Sequence, residues 1–219
     1  MVPAPRHRCL IYDGAPSRHL PTLAAVIREQ LQAGLRCLYL NTPPMVSGMR
    51  SYLAAAAVDV EHEIAKGSLT VSSDRLHLVG THFDVDRMLE QLEDAISQAL
   101  TDGYHGLWAS GDMAWELGPE QDFSKLLEYE WRLEELFLRC PSLRGICQYH
   151  RDTLPKQAVR VCLGAHASIF INETLSRINP YYTRGESRTV VPASDSELDA
   201  VVAGFKRRAE LETQNQSLL

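Results

Sequence analysis

The feature that most narrows the possible folds is an alternation, repeated along most of the chain, of short apolar runs with longer amphipathic ones. Residues 8–13 (RCLIYD), 36–41 (RCLYLN), 68–72 (SLTVS), 105–110 (HGLWAS), 143–149 (LRGICQY) and 167–171 have the length and apolar content of buried strands. Between them, 17–33, 44–57, 83–100, 123–138 and 155–163 repeat apolar residues at three- and four-residue spacing, as one face of a helix requires. The clearest stripe is Val85, Met88, Leu89, Leu92, Ile96 and Leu100, with Asp84 and Asp86 where a helix start favours anions. Residues 58–66 stay ambiguous. Strand and helix in this order imply parallel pairing with right-handed crossovers, so the expected class is α/β: a mostly parallel central sheet with helices on both faces.

A chain of 219 residues is one domain, or one domain with a short appendage. With 45% apolar and 23% charged residues it falls outside the disordered and fibrous classes. No run approaches the roughly 20 apolar residues of a bilayer span, and residues 1–9 lack a signal-peptide core, so a cytoplasmic location is expected. A net charge of −6 argues against general affinity for nucleic acid or anionic membrane. Five cysteines, an odd number, suggest reduced thiols rather than a disulfide framework.

In an open parallel sheet ligands bind beyond the carboxyl ends of the strands. The residues there are Tyr12, Asp13, Asn41, Gly111, Asp112, Gln148, Tyr149 and His150, and aromatics such as Trp115 cluster nearby. The turn after the first strand reads Asp13-Gly-Ala-Pro-Ser-Arg-His-Leu20, with neither G-x-x-x-x-G-K-[ST] nor G-x-G-x-x-G. One glycine builds no nest of backbone N–H groups for a β-phosphate, so ATP hydrolysis is not expected. The G-x-S-x-G elbow of serine hydrolases is missing too. Asp112 either holds a polar ligand or metal, or caps the next helix. Glu128, Glu130, Glu134 and Glu135 read as a solvated helix face, with Glu130 able to point inward beside Trp131. His7, Cys9, Cys147 and His150 have the chemistry of a zinc quartet, but H-x-C and C-x-x-H about 140 residues apart match no known finger; no metal is expected, and a redox-sensing thiol would sit at Cys9 or Cys147.

Residues 183–193 read as a linker. Ser194 and Glu197 then form a capping-box pattern, and the rest of the chain, to 219, has helical composition. Leu211 and Leu218 are one heptad apart, and Gln214, Asn215 and Gln216 would bury badly, so the expectation is a helix that leaves the domain rather than one packed back on it.

Five segments, in order, resemble one family. His7-x-Cys9-x-x-Tyr12, Gly111-Asp-Met-Ala-Trp115, Leu127-Glu-Tyr-Glu130 with Leu133, Cys147-Gln-Tyr149 and Asn179-Pro-Tyr-Tyr182 are similar to segments of the MEDS family, the methanogen/methylotroph DcmR-type sensory domain. The resemblance implies a RecA/KaiC-like fold that has lost its phosphate-binding loop. It also implies a ligand-sensing input responding to one-carbon or hydrocarbon-derived signals, of the kind that precedes histidine-kinase, PAS or DNA-binding modules. Two departures stand out: His150 takes the place after C-Q-Y where an acid is frequent, and no output domain accompanies the sensor, so a lone sensor or a fragment is expected.

The resulting expectation is a non-enzymatic sensory domain. It binds a small ligand through Tyr12, Asp112, Trp115 and Tyr149, with His7 and Glu130 from the matched segments. It relays the signal through its C-terminal helix, as a homodimer, to a histidine kinase or other regulator, without direct nucleic-acid or membrane contact; its cofactors are unknown. The alternatives are a protein-interaction module without a ligand, and a degenerate nucleotide-fold enzyme using Asp112 and His150 as acid and base.

Overall fold

The computed structural model describes residues 6–171, 174–182 and 194–216. Its strands are β1 (His7–Tyr12), β2 (Arg36–Leu40), β3 (Leu69–Ser72), β4 (Leu78–Val79), β5 (His82–Phe83), β6 (Leu107–Asp112), β7 (Leu143–His150), β8 (Ser168–Ile171) and β9 (Thr174–Ile178). The main sheet runs β3-β2-β6-β7-β1-β8-β9; the first six of these are parallel and β9 closes the edge antiparallel to β8. The expected class is therefore the observed one. Two elements had no clear signal: the β4–β5 hairpin, whose strands are too short to show a period, and β9.

The helices are α1 (Leu20–Gln32), α2 (Pro43–Ala55), α3 (Val60–Ala65), α4 (Val85–Thr101), α5 (Met113–Glu116), α6 (Leu126–Arg139), α7 (Lys156–Ala165) and α8 (Asp195–Gln216). The ambiguous stretch resolves as α3, started by Asp59, whose carboxylate accepts the His62 N–H at 3.1 Å. The predicted stripe of α4 is buried from Val85 to Ile96; Leu100 is half-exposed and Ala99 takes the inward position.

Because side chains alternate across a strand, each central strand feeds two cores. Cys9, Ile11, Leu107, Cys147 and Tyr149 face α4, α6 and α7. Leu10, Tyr12, Cys37, Tyr39, Trp108 and Ile146 face α1 and α2. This division decides which predicted site residues can meet.

The C-terminal helix departs from expectation. Its capping box forms as read, with Ser194 N–H donating to Glu197 Oε2 at 3.2 Å and Glu197 N–H to Ser194 Oγ at 3.3 Å. The helix does not leave the domain, however. Leu198, Val202 and Ala209 are buried, the first two in the α4–α6–α7 core, and Phe205 packs against that core. Asp199 pairs with Lys156 at 2.7 Å and Arg151 at 3.1 Å, Asp195 with Arg160, and Lys206 with Asp13. Few apolar positions suffice because charged partners on α7 and the strand ends complete the seam, and the polar tail with Leu211 extends past it. Residues 183–193, read as a linker, lie outside the described residues, as does Leu218.

Candidate functional site

At the carboxyl ends of the strands, side chains of the expected crevice are hydrogen-bonded to one another. The Tyr12 hydroxyl donates to Asp112 Oδ2 at 2.8 Å, and Asp112 Oδ1 accepts the Trp115 N–H at 3.1 Å, capping α5. The capping reading of Asp112 is thus realised, and its other carboxylate oxygen is engaged by Tyr12. The Tyr12 ring stacks on His150 with centroids 4.7 Å apart and packs against His19. Gln148 donates to Ser110 Oγ at 3.0 Å and lies 3.1 Å from His19 Nε2; Ser110 donates to the Ile146 carbonyl at 2.6 Å. Burial raises the Asp112 carboxyl above its ordinary range, with the Tyr12 hydroxyl opposing that shift, and burial pushes the Tyr12 phenol far up. In the first turn, Gly14 N–H donates to Asp152 Oδ2 at 2.8 Å and the Gly14 carbonyl lies 3.0 Å from His150 Nε2. The backbone group that would greet a phosphate is held by an acid of the chain itself.

The predicted ligand contacts do not all converge there. Trp115 is buried beside His77, with ring centroids 4.9 Å apart, rather than beside Tyr12. Tyr149 is one residue out of phase with His150 on β7 and so faces the opposite side of the sheet. There its hydroxyl donates to Glu130. The same alternation dissolves the His7–Cys9–Cys147–His150 quartet: His150 lies on the Tyr12 side, while the other three lie beneath α6 and α7.

That second face holds a denser polar cluster. His7, at the start of β1, places Nδ1 2.7 Å from Glu134 Oε2 and Nε2 3.5 Å from Cys147 Sγ and 3.9 Å from Glu130 Oε2. Its ring stacks on Phe137 at 4.3 Å. His166, at the end of α7, puts Nδ1 2.9 Å from the Cys162 carbonyl and Nε2 3.5 Å from Glu130 Oε2. Tyr182 donates to Glu134. Burial drives the His7 imidazole down to about 3 and pushes the Glu130 carboxyl up to about 8. Burial likewise raises the Cys147 thiol and lowers His166.

The helix α6 thus carries acids on both sides. Glu128 and Glu135 are exposed, as a solvated face requires, but Glu130 and Glu134 are buried and correct that reading. They fall on the stripe of Tyr129, Leu133 and Phe137, a placement on the helical wheel that could have revealed them. His166 was not singled out in the sequence, because a lone histidine after a helix carries no spacing signal.

Beside this cluster, between β6, β7, α4 and α6, is a cavity of about 30 Å³. Leu40, Met88, Leu92 and Leu133 supply apolar wall; Glu116, Tyr129 and Cys147 supply polar atoms. Gly111 makes room for the Glu116 carboxyl, which a Cβ there would strike. Burial and the neighbouring Glu130 raise Glu116 well above the usual carboxylate range, and its Oε2 has no hydrogen-bond partner among the described residues.

The parallel sheet and its helices have the fold of the KaiC-like, RecA-type α/β domains. A KaiC-like protein from the hyperthermophilic archaeon Pyrococcus horikoshii superposes with a TM-score of 0.53 at 12% identity, over 76% of this chain and 71% of that one. Within the class, residues 6–167 match the family model of MEDS, the MEthanogen/methylotroph, DcmR Sensory domain, and the chain belongs to that family. Its role is accordingly sensory, as a signal-input domain. A search of the curated proteins finds no match.

Proposed function

We propose that the chain is a non-enzymatic cytoplasmic input domain that detects a very small, weakly polar molecule of one or two carbons and relays its presence through α8 to a histidine kinase or transcriptional regulator. The observation that carries this reading is the cavity. Its 30 Å³ is room for roughly two waters, far below the few hundred Å³ of a drug-sized pocket, so only a minute ligand suits it. The walls are apolar, while Glu116, Tyr129 and Cys147 offer orienting groups on one side. The absence of an enzymatic step is supported by the first turn, where Asp152 takes the Gly14 N–H. A cytoplasmic setting is supported by five cysteines, none of them paired.

Relay follows from position. The cavity is walled by β7 and α6, and β7 leads to Arg151, whose guanidinium pairs with Asp199 on α8. A ligand shifts an equilibrium only by its preference between two arrangements. Filling the cavity favours the arrangement in which β7 and α6 stand slightly apart, and α8 reads that separation. Pairing of two chains through α8 would use the stretch past Ala209, where Leu211 is exposed.

The test is a titration of methyl-¹³C-methionine-labelled protein with dichloromethane, followed by NMR. The Met88 methyl resonance is expected to shift saturably, and Leu133→Phe, which fills the cavity, to abolish the shift. A Met88 signal that stays put, or moves linearly without saturation, removes the cavity as the ligand site.

A further inference from the structure

We propose that His7, Glu130, Cys147 and His166 form a buried binding site for a divalent cation of the zinc class. One donor atom from each lies within 4.8 Å of every other, and all four residues are buried. Around zinc, bonds of about 2.0–2.1 Å to N and O and about 2.3 Å to S place tetrahedral donors roughly 3.3–3.6 Å apart. The separations here are 3.5 Å for Cys147 Sγ to His7 Nε2, 3.5 Å for His166 Nε2 to Glu130 Oε2 and 3.9 Å for His7 Nε2 to Glu130 Oε2. The cluster has the size of a coordination shell before closure, with the longest edge left to shorten by roughly 1 Å.

The orientation of the donors supplies an independent argument. Each imidazole meets an acceptor at Nδ1, Glu134 for His7 and the Cys162 carbonyl for His166. An acceptor at Nδ1 fixes the tautomer with the proton there, so both Nε2 lone pairs point into the cluster, as outer partners do for metal-bound histidines. Glu130 is anchored through Oε1 by the Tyr149 hydroxyl, leaving Oε2 turned inward. Glu130 Oε2 and His166 Nε2 are buried polar atoms with no hydrogen-bond partner among the described residues, and they face each other. His166 Nε2 offers only a lone pair, so Glu130 Oε2 can face it only with a proton between them, and a dication in place of that proton would meet both lone pairs.

The charge balances. On binding, the Cys147 thiol and the Glu130 carboxyl each release a proton to solvent, and thiolate plus carboxylate neutralise the dication inside the core. Imidazole, thiolate and one carboxylate together favour zinc over magnesium or calcium, which prefer all-oxygen shells. Four protein ligands leave no open position, so the ion would tie β1, α6, β7 and the end of α7 together rather than activate water. The neighbouring trio of Cys9, Cys162 and His166 shares one ligand with this set but lacks an acid.

The full chain, purified without chelator, is expected to hold one zinc, and X-ray absorption at the zinc edge to show one sulfur with three N/O neighbours. Cobalt(II) substitution is expected to give the intense visible bands of a tetrahedral site and a thiolate charge-transfer band. That band is lost in Cys147→Ser and kept in Cys140→Ser and Cys162→Ser, all checked for folding by circular dichroism. Glu134→Gln, which touches His7 but not the ion, is expected to weaken zinc binding about 10–100-fold. Wild-type protein that takes up no zinc or cobalt when both are supplied, an absorption spectrum with no sulfur neighbour, or a charge-transfer band lost in Cys162→Ser instead of Cys147→Ser would each overturn the assignment. The X-ray measurement needs no variant, so a poorly folding mutant cannot obscure the answer.

Discussion

Two polar clusters lie back to back on the same pair of strands, and they differ in what their atoms lack. On one face of β1 and β7, Tyr12 donates to Asp112, and Gln148 is hydrogen-bonded to Ser110 and His19, whose ring packs on Tyr12. On the other, His7, Glu130, Cys147 and His166 approach one another while two of their inward atoms have no hydrogen-bond partner among the described residues. Burial is similar in both. A buried polar network whose valences are mutually met holds the backbone in place; one with valences left over is where an added species can be recognised. At the strand ends, where topology alone would put the ligand, the Tyr12, Asp112, Gln148 and Ser110 side chains are already hydrogen-bonded within the chain.

The sharpest way to break that comparison is Tyr12→Phe. It deprives buried Asp112 of a donor, and a loss of about 2 kcal/mol is expected in urea unfolding. A change within a few tenths would mean that the crevice network is not closed after all. Next in size is a pH effect from the opposite face. Burial raises Glu116, so as pH climbs above about 4.5 the unfolded chain releases this proton while the folded chain keeps it. The Glu116 contribution to stability therefore falls with rising pH through the interval up to its raised folded value, and Glu116→Gln should flatten the curve measured by urea unfolding between pH 5 and 7.5. In chelator-treated protein, Glu130→Gln is expected to change stability by less than about 1 kcal/mol, since the amide still accepts from Tyr149 and gains an N–H to offer His166 Nε2. A loss as large as that of Tyr12→Phe would show the two clusters to be energetically alike. The smallest effect belongs to the crevice rim: Lys206→Ala removes a partly exposed pair with Asp13 and should cost about 0.2–1 kcal/mol, seen as a small drop in the thermal midpoint that high salt diminishes.

The sheet was legible in the sequence because buried parallel strands write themselves as short apolar runs, and RCLIYD, RCLYLN and LRGICQY are such runs. The β4–β5 hairpin was not legible, since two residues per strand leave no period to detect. The docking of α8 was hidden for a different reason: Asp195, Asp199 and Lys206 look like solvent-facing charges until their partners on α7 and the strand ends are known. In the site, His7, Glu130 and Cys147 could each be picked out singly, but the sequence could not say that they share a face with one another and not with His150. That follows from the register Cys9 to Cys147 and Tyr12 to His150, a one-residue matter. Glu134 was misread because a run of acids on a helix resembles a wet surface, although its four-residue spacing from Glu130 already set both on the apolar stripe.

The seating of α8 has a mechanical consequence. Ala209 is the last buried position of a 22-residue helix about 33 Å long, and the segment beyond it reaches roughly 10 Å to the last described residue. Ala209 is then a pivot and the segment beyond it an arm, so rocking the helix by about 10° swings its tip by roughly 1.8 Å, about one residue of helical rise. A rearrangement too small to disturb the core becomes, at the end of that arm, a displacement large enough to change which side chains a neighbour meets.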